Sequence, residues 1–459
     1  MIADLNRYPD YRESGHEWLG RVPSHWRVMR IKTVLQEKDS RSTDGSGVLL
    51  SLTRIRGLIP RTDMTDKIHS ARTLVGYKIY SPGEIVMNRM QAWSGMFGCG
   101  STEGLISPDY AVFRIRTGDN VNVLLARLKA ADMVSQFALE SKGIGSGFNR
   151  LYSDRLGAIP ISLPPSEEQI AIIRYLDWAN ARLDRMIRAK RKVIALLNEQ
   201  KQAIIHRVVT CGLDSSVPLK RSGASWLGDI PAGWAVLRAK YLFCEIDERS
   251  STGSEELLSV SHLTGVTPRS QKNITMFKAE SYAGHKLCRP GDLVINTMWA
   301  WMGALGISKD TGIISPAYAV YRQRGETRLS QGFIDALLRT RLYIDEFTRR
   351  STGIRSSRLR MYPEEFFKVE ILVPPRPEQE EIVSFISTRT ANLNVAIERV
   401  SGEVDLLREY RTRLIADVVT GKLDVREAAM RLPVEETPME EDLFSDGEIP
   451  DDEVMEQEG

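Results

Sequence analysis

The chain has 459 residues, 42% hydrophobic and 27% charged, which is ordinary for a soluble globular protein and enough for two or three cores. No apolar run approaches the ~18–20 residues of a membrane helix, and Met1–Arg7 reads as no signal peptide. The net charge of +2 conceals an asymmetry: residues 434–459 hold twelve acids and no Lys or Arg, so residues 1–433 stand at +14, compatible with a polyanionic partner.

In chain order the first landmark is a tryptophan-rich opening, Trp18-Leu19-Gly20-Arg21-Val22-Pro23-Ser24-His25-Trp26. It is answered by Trp226-Leu227-Gly228-Asp229-Ile230-Pro231-Ala232-Gly233-Trp234. Gly76 to Gly95 then realigns without a gap 208 residues later as Gly284 to Gly303, with 10 of 20 positions identical. A period this long marks a duplicated domain, because solenoid units run ~20–50 residues. Within it Glu84–Met87 and Asp292–Ile295 leave Pro-Gly turns as β-branched strands. Tyr110–Arg114 and Tyr318–Arg322, each shortly after Ile-Ser-Pro, are further strands. Val121–Glu140 and Leu329–Phe347 carry apolar residues at helical spacing.

Each copy closes on a Pro-Pro junction, Leu163-Pro164-Pro165-Ser166-Glu167-Glu168-Gln169 and Val373-Pro374-Pro375-Arg376-Pro377-Glu378-Gln379. The prolines stop the preceding strand and the acids suit a helix N-terminus. Beyond them, to Thr210 and Thr420, no proline interrupts. Ile173, Leu176, Leu183, Ile187, Ile194, Leu197, Ile204 and Val208 alternate at spacings of three and four, with gaps. Val383, Ile386, Leu393, Ile397, Val404, Leu407, Leu414 and Val418 repeat the register. This is a coiled-coil seam, interrupted by Lys190, Lys201 and Arg411. A helix of ~40 residues spans ~60 Å, too long for one small domain, so its natural partner is the other copy's helix. The expected fold is α+β: two pseudo-symmetric mixed domains, residues 1–165 and 213–375, are separated by long helices, 166–212 and 376–425, forming an antiparallel coiled coil. An acidic, disordered tail, 426–459, follows.

The paired order of Trp-Leu-Gly-x-[Val/Ile]-Pro, Leu-Pro-Pro-x-x-Glu-Gln and long helix resembles the specificity subunits of type I DNA restriction-modification systems, over residues 8–425. The resemblance implies two target-recognition domains, each reading half of a split double-stranded DNA target, with the helices as a ruler. It implies a subunit without a catalytic centre or cofactor of its own. Its partners would be two methyltransferase subunits using S-adenosylmethionine and translocating restriction subunits using ATP and magnesium, in the cytoplasm and away from any membrane. Half-sites read on one face of B-DNA lie ~34–36 Å apart, a spacing helices of this length can hold.

DNA contacts are expected where the copies differ on shared scaffolding. Ser51–Arg61 against Ser259–Arg269 keeps Ser, Gly, Pro and Arg, while Arg54 and Arg56 become His262 and Thr264; Arg61 and Arg269 add charge. Arg grips guanine O6 and N7 bidentately, so this exchange would change the base read, unless the residues merely face solvent. Asn88-Arg89-Met90-Gln91 against Asn296-Thr297-Met298-Trp299 offers Arg89, Gln91 and Thr297 to base edges, with Trp299 read as core. Trp93 and Trp301, shared by both copies, read as packing. Ser141–Arg150 against Ser351–Arg360 brings Lys142, Ser146, Asn149 and Arg150, and Arg355, Ser356, Arg358 and Arg360, in a setting that lets backbone approach phosphate.

Enzyme chemistry finds little support. Gly143-Ile144-Gly145-Ser146-Gly147 follows a helical stretch and is not repeated, unlike a dinucleotide-binding turn. Cys99, Cys211, Cys244 and Cys288 are scattered, against a zinc site or disulfide framework and in keeping with a reducing compartment. The alternative is a metal-dependent DNA nuclease using Asp109, Glu140 and Lys142. The equivalent Ala317, Arg350 and Thr352 could not hold magnesium, so that reading needs one active copy.

Overall fold

Proline and glycine turns cut each copy into short strands that pair antiparallel throughout. The computed structural model describes residues 5–64, 73–143, 149–271, 281–325, 329–353 and 359–433. They fall into two units: the first takes the described residues up to 190 and from 402 onward, the second residues 191–401.

In unit one a sheet runs in the order Leu35–Lys38, Tyr110–Ile115, Ile85–Asn88, Phe97–Gly98. Strand alternation sorts its apolar residues between two faces. Ile85, Met87, Ala111 and Phe113 meet Leu124, Leu128, Met133 and Phe137 of two helices, Val121–Leu128 and Ala131–Glu140. Val86 and Val112 point the other way, to Leu50, Leu52, Leu58, Tyr80 and Ile106. Unit two repeats the order with Phe243–Ile246, Ala319–Gln323, Leu293–Ile295 and Leu305–Ile307. Its helices are Gln331–Leu338 and Arg341–Arg350. Each stretch of helical spacing thus holds two helices, because Ala130 and Thr340 adopt extended backbone and start a new one.

Residues kept in both copies of the repeat, or exchanged only between Glu and Asp, serve this scaffold. Lys78 Nζ lies 3.4 Å from Glu37 and 3.2 Å from Asp39, and Lys286 Nζ lies 3.5 Å from Asp247. The acid after each Pro-Gly accepts from its own turn, from Ser81 N–H or Arg289 N–H, each at 2.9 Å. It also pairs with Arg114 (3.2 Å) or Arg322 (2.8 Å) on the neighbouring strand. Asn88 and Asn296 accept from Met90 N–H (3.1 Å) and Met298 N–H (3.2 Å).

The long helices are Ser166–Cys211 and Arg376–Val419, and each begins in one unit and ends in the other. The Glu-Gln of each junction anchors the helix foot. Gln169 Nε2 donates to Pro164 O (2.9 Å) while its Oε1 accepts from Asn120 N–H (2.7 Å). Gln379 does the same with Pro374 O (2.8 Å) and Ser330 N–H (2.7 Å). Glu168 accepts from Trp26 Nε1–H (2.8 Å), and Glu378 from Trp234 Nε1–H (3.0 Å), so both tryptophan-rich openings dock on a helix start. Two further donors converge on Glu168: Tyr8 O–H (2.5 Å) and His25 Nε2 (2.6 Å).

Within unit one, residues 166–190 and 402–419 run antiparallel, burying Leu176 and Ala179 with Leu414 and Val418. The polar intrusions set the register. Lys190 meets Glu403 at 2.5 Å and Arg411 meets Asp184 in unit one; Lys201 Nζ donates to Asn394 Oδ1 at 2.8 Å in unit two. Of the predicted seam, Leu176, Leu183, Ile187, Val208, Val404, Leu414 and Val418 are buried. Ile194, Leu197, Ile204, Ile386, Leu393, Ile397 and Leu407 are half-buried. At the feet the fully buried positions are Ile172 and Ile382; the predicted Ile173 and Val383 stand half-buried beside them.

The expected tail begins with structure. Arg426–Met430 is helical, and Val425 and Ala429 are buried beside Tyr8 and Trp26, because their apolar spacing makes one helical face. The acidic stretch 434–459 lies outside the described residues. No described helix is long and apolar enough to cross a membrane.

A candidate nucleic-acid interface in each unit

The first window folds as a hairpin. Leu50–Thr53 pairs with Gly57–Pro60, so Thr53 faces Gly57 across a tip of Arg54, Ile55 and Arg56. Leu258–Ser261 pairs with Gly265–Pro268 around His262, Leu263 and Thr264. Gly57 and Gly265 take φ of 68° and 70°, a conformation that strains other residues. A Cβ on Gly57 would also stand 2.6 Å from Cys99 O. Thr53 Oγ1 closes the first tip, accepting from Arg56 N–H (3.0 Å); Ser261 Oγ closes the second, accepting from Leu263 N–H (3.1 Å).

A cation from the end of the neighbouring helix holds each tip. Lys129 Nζ reaches Arg54 O at 3.5 Å, and Arg339 Nη2 donates to His262 O (2.9 Å) and Leu263 O (2.7 Å). Burial pushes the Lys129 ammonium below its usual range, with the Cys99 thiol opposing and the Arg54 charge reinforcing the shift.

Hydrogen bonds link the three windows of unit one. Arg54 donates to Ser94 O (3.0 Å) and Ser94 Oγ (3.1 Å), and Ser94 Oγ donates to Gln91 O (2.9 Å). Leu151 N–H donates to Arg89 O (3.0 Å). Lys142 and Arg150 pair through both backbone bonds (3.0 and 2.8 Å), closing the base of the third window. In unit two Met361 N–H donates to Thr297 O (2.8 Å), and Thr352 pairs with Arg360 in the same way (3.0 and 2.9 Å).

The individual candidates divide. Arg54, Arg56, Arg61, Gln91 and Lys142 are exposed; His262, Arg269, Asn149, Arg150 and Arg360 are half-buried. Arg89 is engaged by Glu37 at 2.6 Å. Thr297 is buried, its hydroxyl donating to Ala317 O (2.9 Å) and accepting from Arg360 Nε–H (3.2 Å). Ser146, Arg355, Ser356 and Arg358 lie outside the described residues. Trp93, expected as packing, is 42% exposed, and Trp301 is half-buried. Short 3-10 turns, Ala92–Ser94 and Ala300–Met302, hold these rings outward, their indole N–H groups donating to Met90 O (3.0 Å) and Met298 O (2.9 Å).

Sequence reasoning passed over Ile55 and Leu263, which lie inside the first window, and Lys129 and Arg339, which lie inside the helically spaced stretches. The offset of 210 equating Lys129 with Arg339 was the available signal. For the nuclease alternative, Glu140 faces Arg155 Nη1 at 3.5 Å, and Asp109 is exposed in the turn before Tyr110. Among the described residues no three His, Cys, Asp or Glu side chains group as a metal site.

No protein-family model matches the chain, and no curated protein matches it. Solved structures do. A chain from the structure of a type I R-M system, concerned with its complex assembly and conformational transition, superposes with a TM-score of 0.58 at 16% identity, covering 88% of this chain and 99% of that one. The HsdS subunit from Thermoanaerobacter tengcongensis gives 0.39 at 16% identity, over 88% and 98%. The type I restriction-modification S subunit from M. genitalium gives 0.31 at 11% identity, over 86% and 96%. The first likeness shows a shared fold; at their TM-scores the other two add nothing to it.

Proposed function

We propose that this chain is the specificity subunit of a type I restriction-modification assembly, reading a split double-stranded DNA target with one unit per half. Its long helices are the spacer and the platform for methyltransferase and restriction subunits. The observation that carries the reading is the paired hairpin face. Both units present the same scaffold, hairpin and supporting cation, while the tip residues differ between Arg-Ile-Arg and His-Leu-Thr. Common scaffolding with divergent tips suits the recognition of two different sequences by one architecture. The net charge of +14 on residues 1–433 and the fold shared with a type I R-M chain support it. S-adenosylmethionine, ATP and magnesium are assigned to the partner subunits, and this chain to recognition alone.

The test is DNA binding by the chain assembled with its methyltransferase partner, measured across salt concentrations. The affinity should fall steeply with salt. Arg61→Ala, at the arginine common to both windows, should weaken binding alike for all sequences and reduce the log–log slope by about 1. Salt-independent binding would contradict the reading, as would magnesium-dependent cleavage by the chain alone that is lost in Asp109→Ala.

A further inference from the structure

The middle residue of each hairpin tip is aliphatic and turned to solvent. Ile55 is 89% exposed and Leu263 is 61% exposed. Single exposed aliphatics are common and need no explanation by themselves. These two differ in holding the same register position in both units, on tips whose other residues have changed.

The tips are also preorganised. Each is closed by a Thr or Ser hydroxyl, turned by a left-handed glycine, and tied through its carbonyls to Lys129 or Arg339. The polar groups around Ile55 have protein partners: Arg54 is engaged by Ser94, and Arg56 Nη2 reaches Asp63 O at 3.4 Å. The aliphatic side chain has no polar group to satisfy and stands exposed between them.

We infer that Ile55 and Leu263 are specificity-determining residues. Each is carried by its hairpin into the DNA major groove, where it packs against the 5-methyl group of a thymine in its own half-site. The inference rests on the DNA-reading function proposed above. A two-stranded ribbon fits the major groove, and apolar contact with the thymine methyl is the form of readout open to an aliphatic group there. The exposed Arg61 beside the hairpin adds positive charge toward the backbone phosphates. The units would read different sequences partly because isoleucine and leucine present differently shaped tips.

The test maps modified adenines in genomes expressing the complete system with the wild-type chain, Ile55→Ala or Leu263→Ala. Each variant should relax discrimination at a single base pair of one half-site, by about three- to tenfold for the contact area lost, and leave the other half as it was. Binding of the assembled wild type to duplex probes should weaken when deoxyuridine replaces that thymine, and Ile55→Ala should not distinguish the two bases. Unchanged unfolding midpoints will show that both variants fold. An unaltered motif in both variants, or a loss that is equal for all sequences with thymine and uracil still distinguished, overturns the inference. A wild-type system that yields no split motif contradicts the proposed function itself, and is thereby distinguishable.

Discussion

Two glycines show how one residue can matter differently in two copies of a domain. Gly57 and Gly265 share a left-handed backbone, which costs a β-carbon residue roughly 1–2 kcal/mol. The space around them is not shared. An alanine Cβ at Gly57 would meet the carbonyl of Cys99 at 2.6 Å, whereas at Gly265 the nearest atom is Arg339 Nη1 at 3.2 Å, a side-chain atom that need give by only a few tenths of an ångström. Gly57→Ala should therefore destabilise by clearly more than Gly265→Ala, with the latter near the backbone cost alone; chemical denaturation of the two variants checks the order. The indole of Trp26 gives a second case. Trp26→Phe keeps an aromatic ring but loses part of the indole's bulk and removes a donor from buried Glu168, which retains Tyr8 and His25; the expected loss is about 1–3 kcal/mol by denaturant midpoint. Part of this scale was legible beforehand: contacts were expected where the copies differ, which leaves the identical Lys78 and Asn88 and the Glu84–Asp292 exchange to the scaffold, where they cap turns and fill ion pairs. Tyr8 and His25 were not, because the equivalent positions are Ser216 and Gly233 and duplication carries no signal where it has lapsed. Trp93 misled for the opposite reason. An indole shared by both copies reads as core, but a 3-10 turn ending at Gly95 faces it outward.

At the scale of elements, the long helices were readable from the seam and from the absence of proline. Their polar intrusions were not, since sequence alone shows Lys190, Lys201 and Arg411 as defects. In the structure each has a counterpart on the opposing helix: Glu403, Asn394 and Asp184. Such residues contribute little to stability when partly exposed and more to the choice of register. Exchanging Lys190 and Glu403 for each other should leave the unfolding midpoint nearly unchanged, while Lys190→Glu alone should lower it by about 0.5–1 kcal/mol; a double-mutant cycle measures the difference. The junction glutamines are of another kind. Gln169 and Gln379 are almost fully buried and tie each helix foot to the main chain before its domain helix, so Gln379→Leu should cost about 2–3 kcal/mol by orphaning Pro374 O and Ser330 N–H.

At the scale of the whole molecule, the duplication closes on itself within unit one. Asp424 N–H donates to Asn6 O at 2.8 Å, and a Cβ on Gly421 would lie 2.6 Å from Pro23 Cδ; in unit two Gly212 stands in the corresponding place against Trp234. A chain reopened between Ser215 and Ser216, with residues 433 and 5 joined by a short linker, should fold and read the same target, which comparison of modified sites would establish. The sequence announced two domains and two helices. It did not announce the bridge between Asn6 and Asp424 in unit one, because a single pairing of this kind leaves no periodic trace.

The central claim is that two independent units read one split target, and the direct measurement is a map of modified adenines from a system whose residues 1–165 have been exchanged for those of a relative. One half of the recognised sequence should change, with the other half retained. Simultaneous change of both halves, or a motif without two separated parts, would contradict the account.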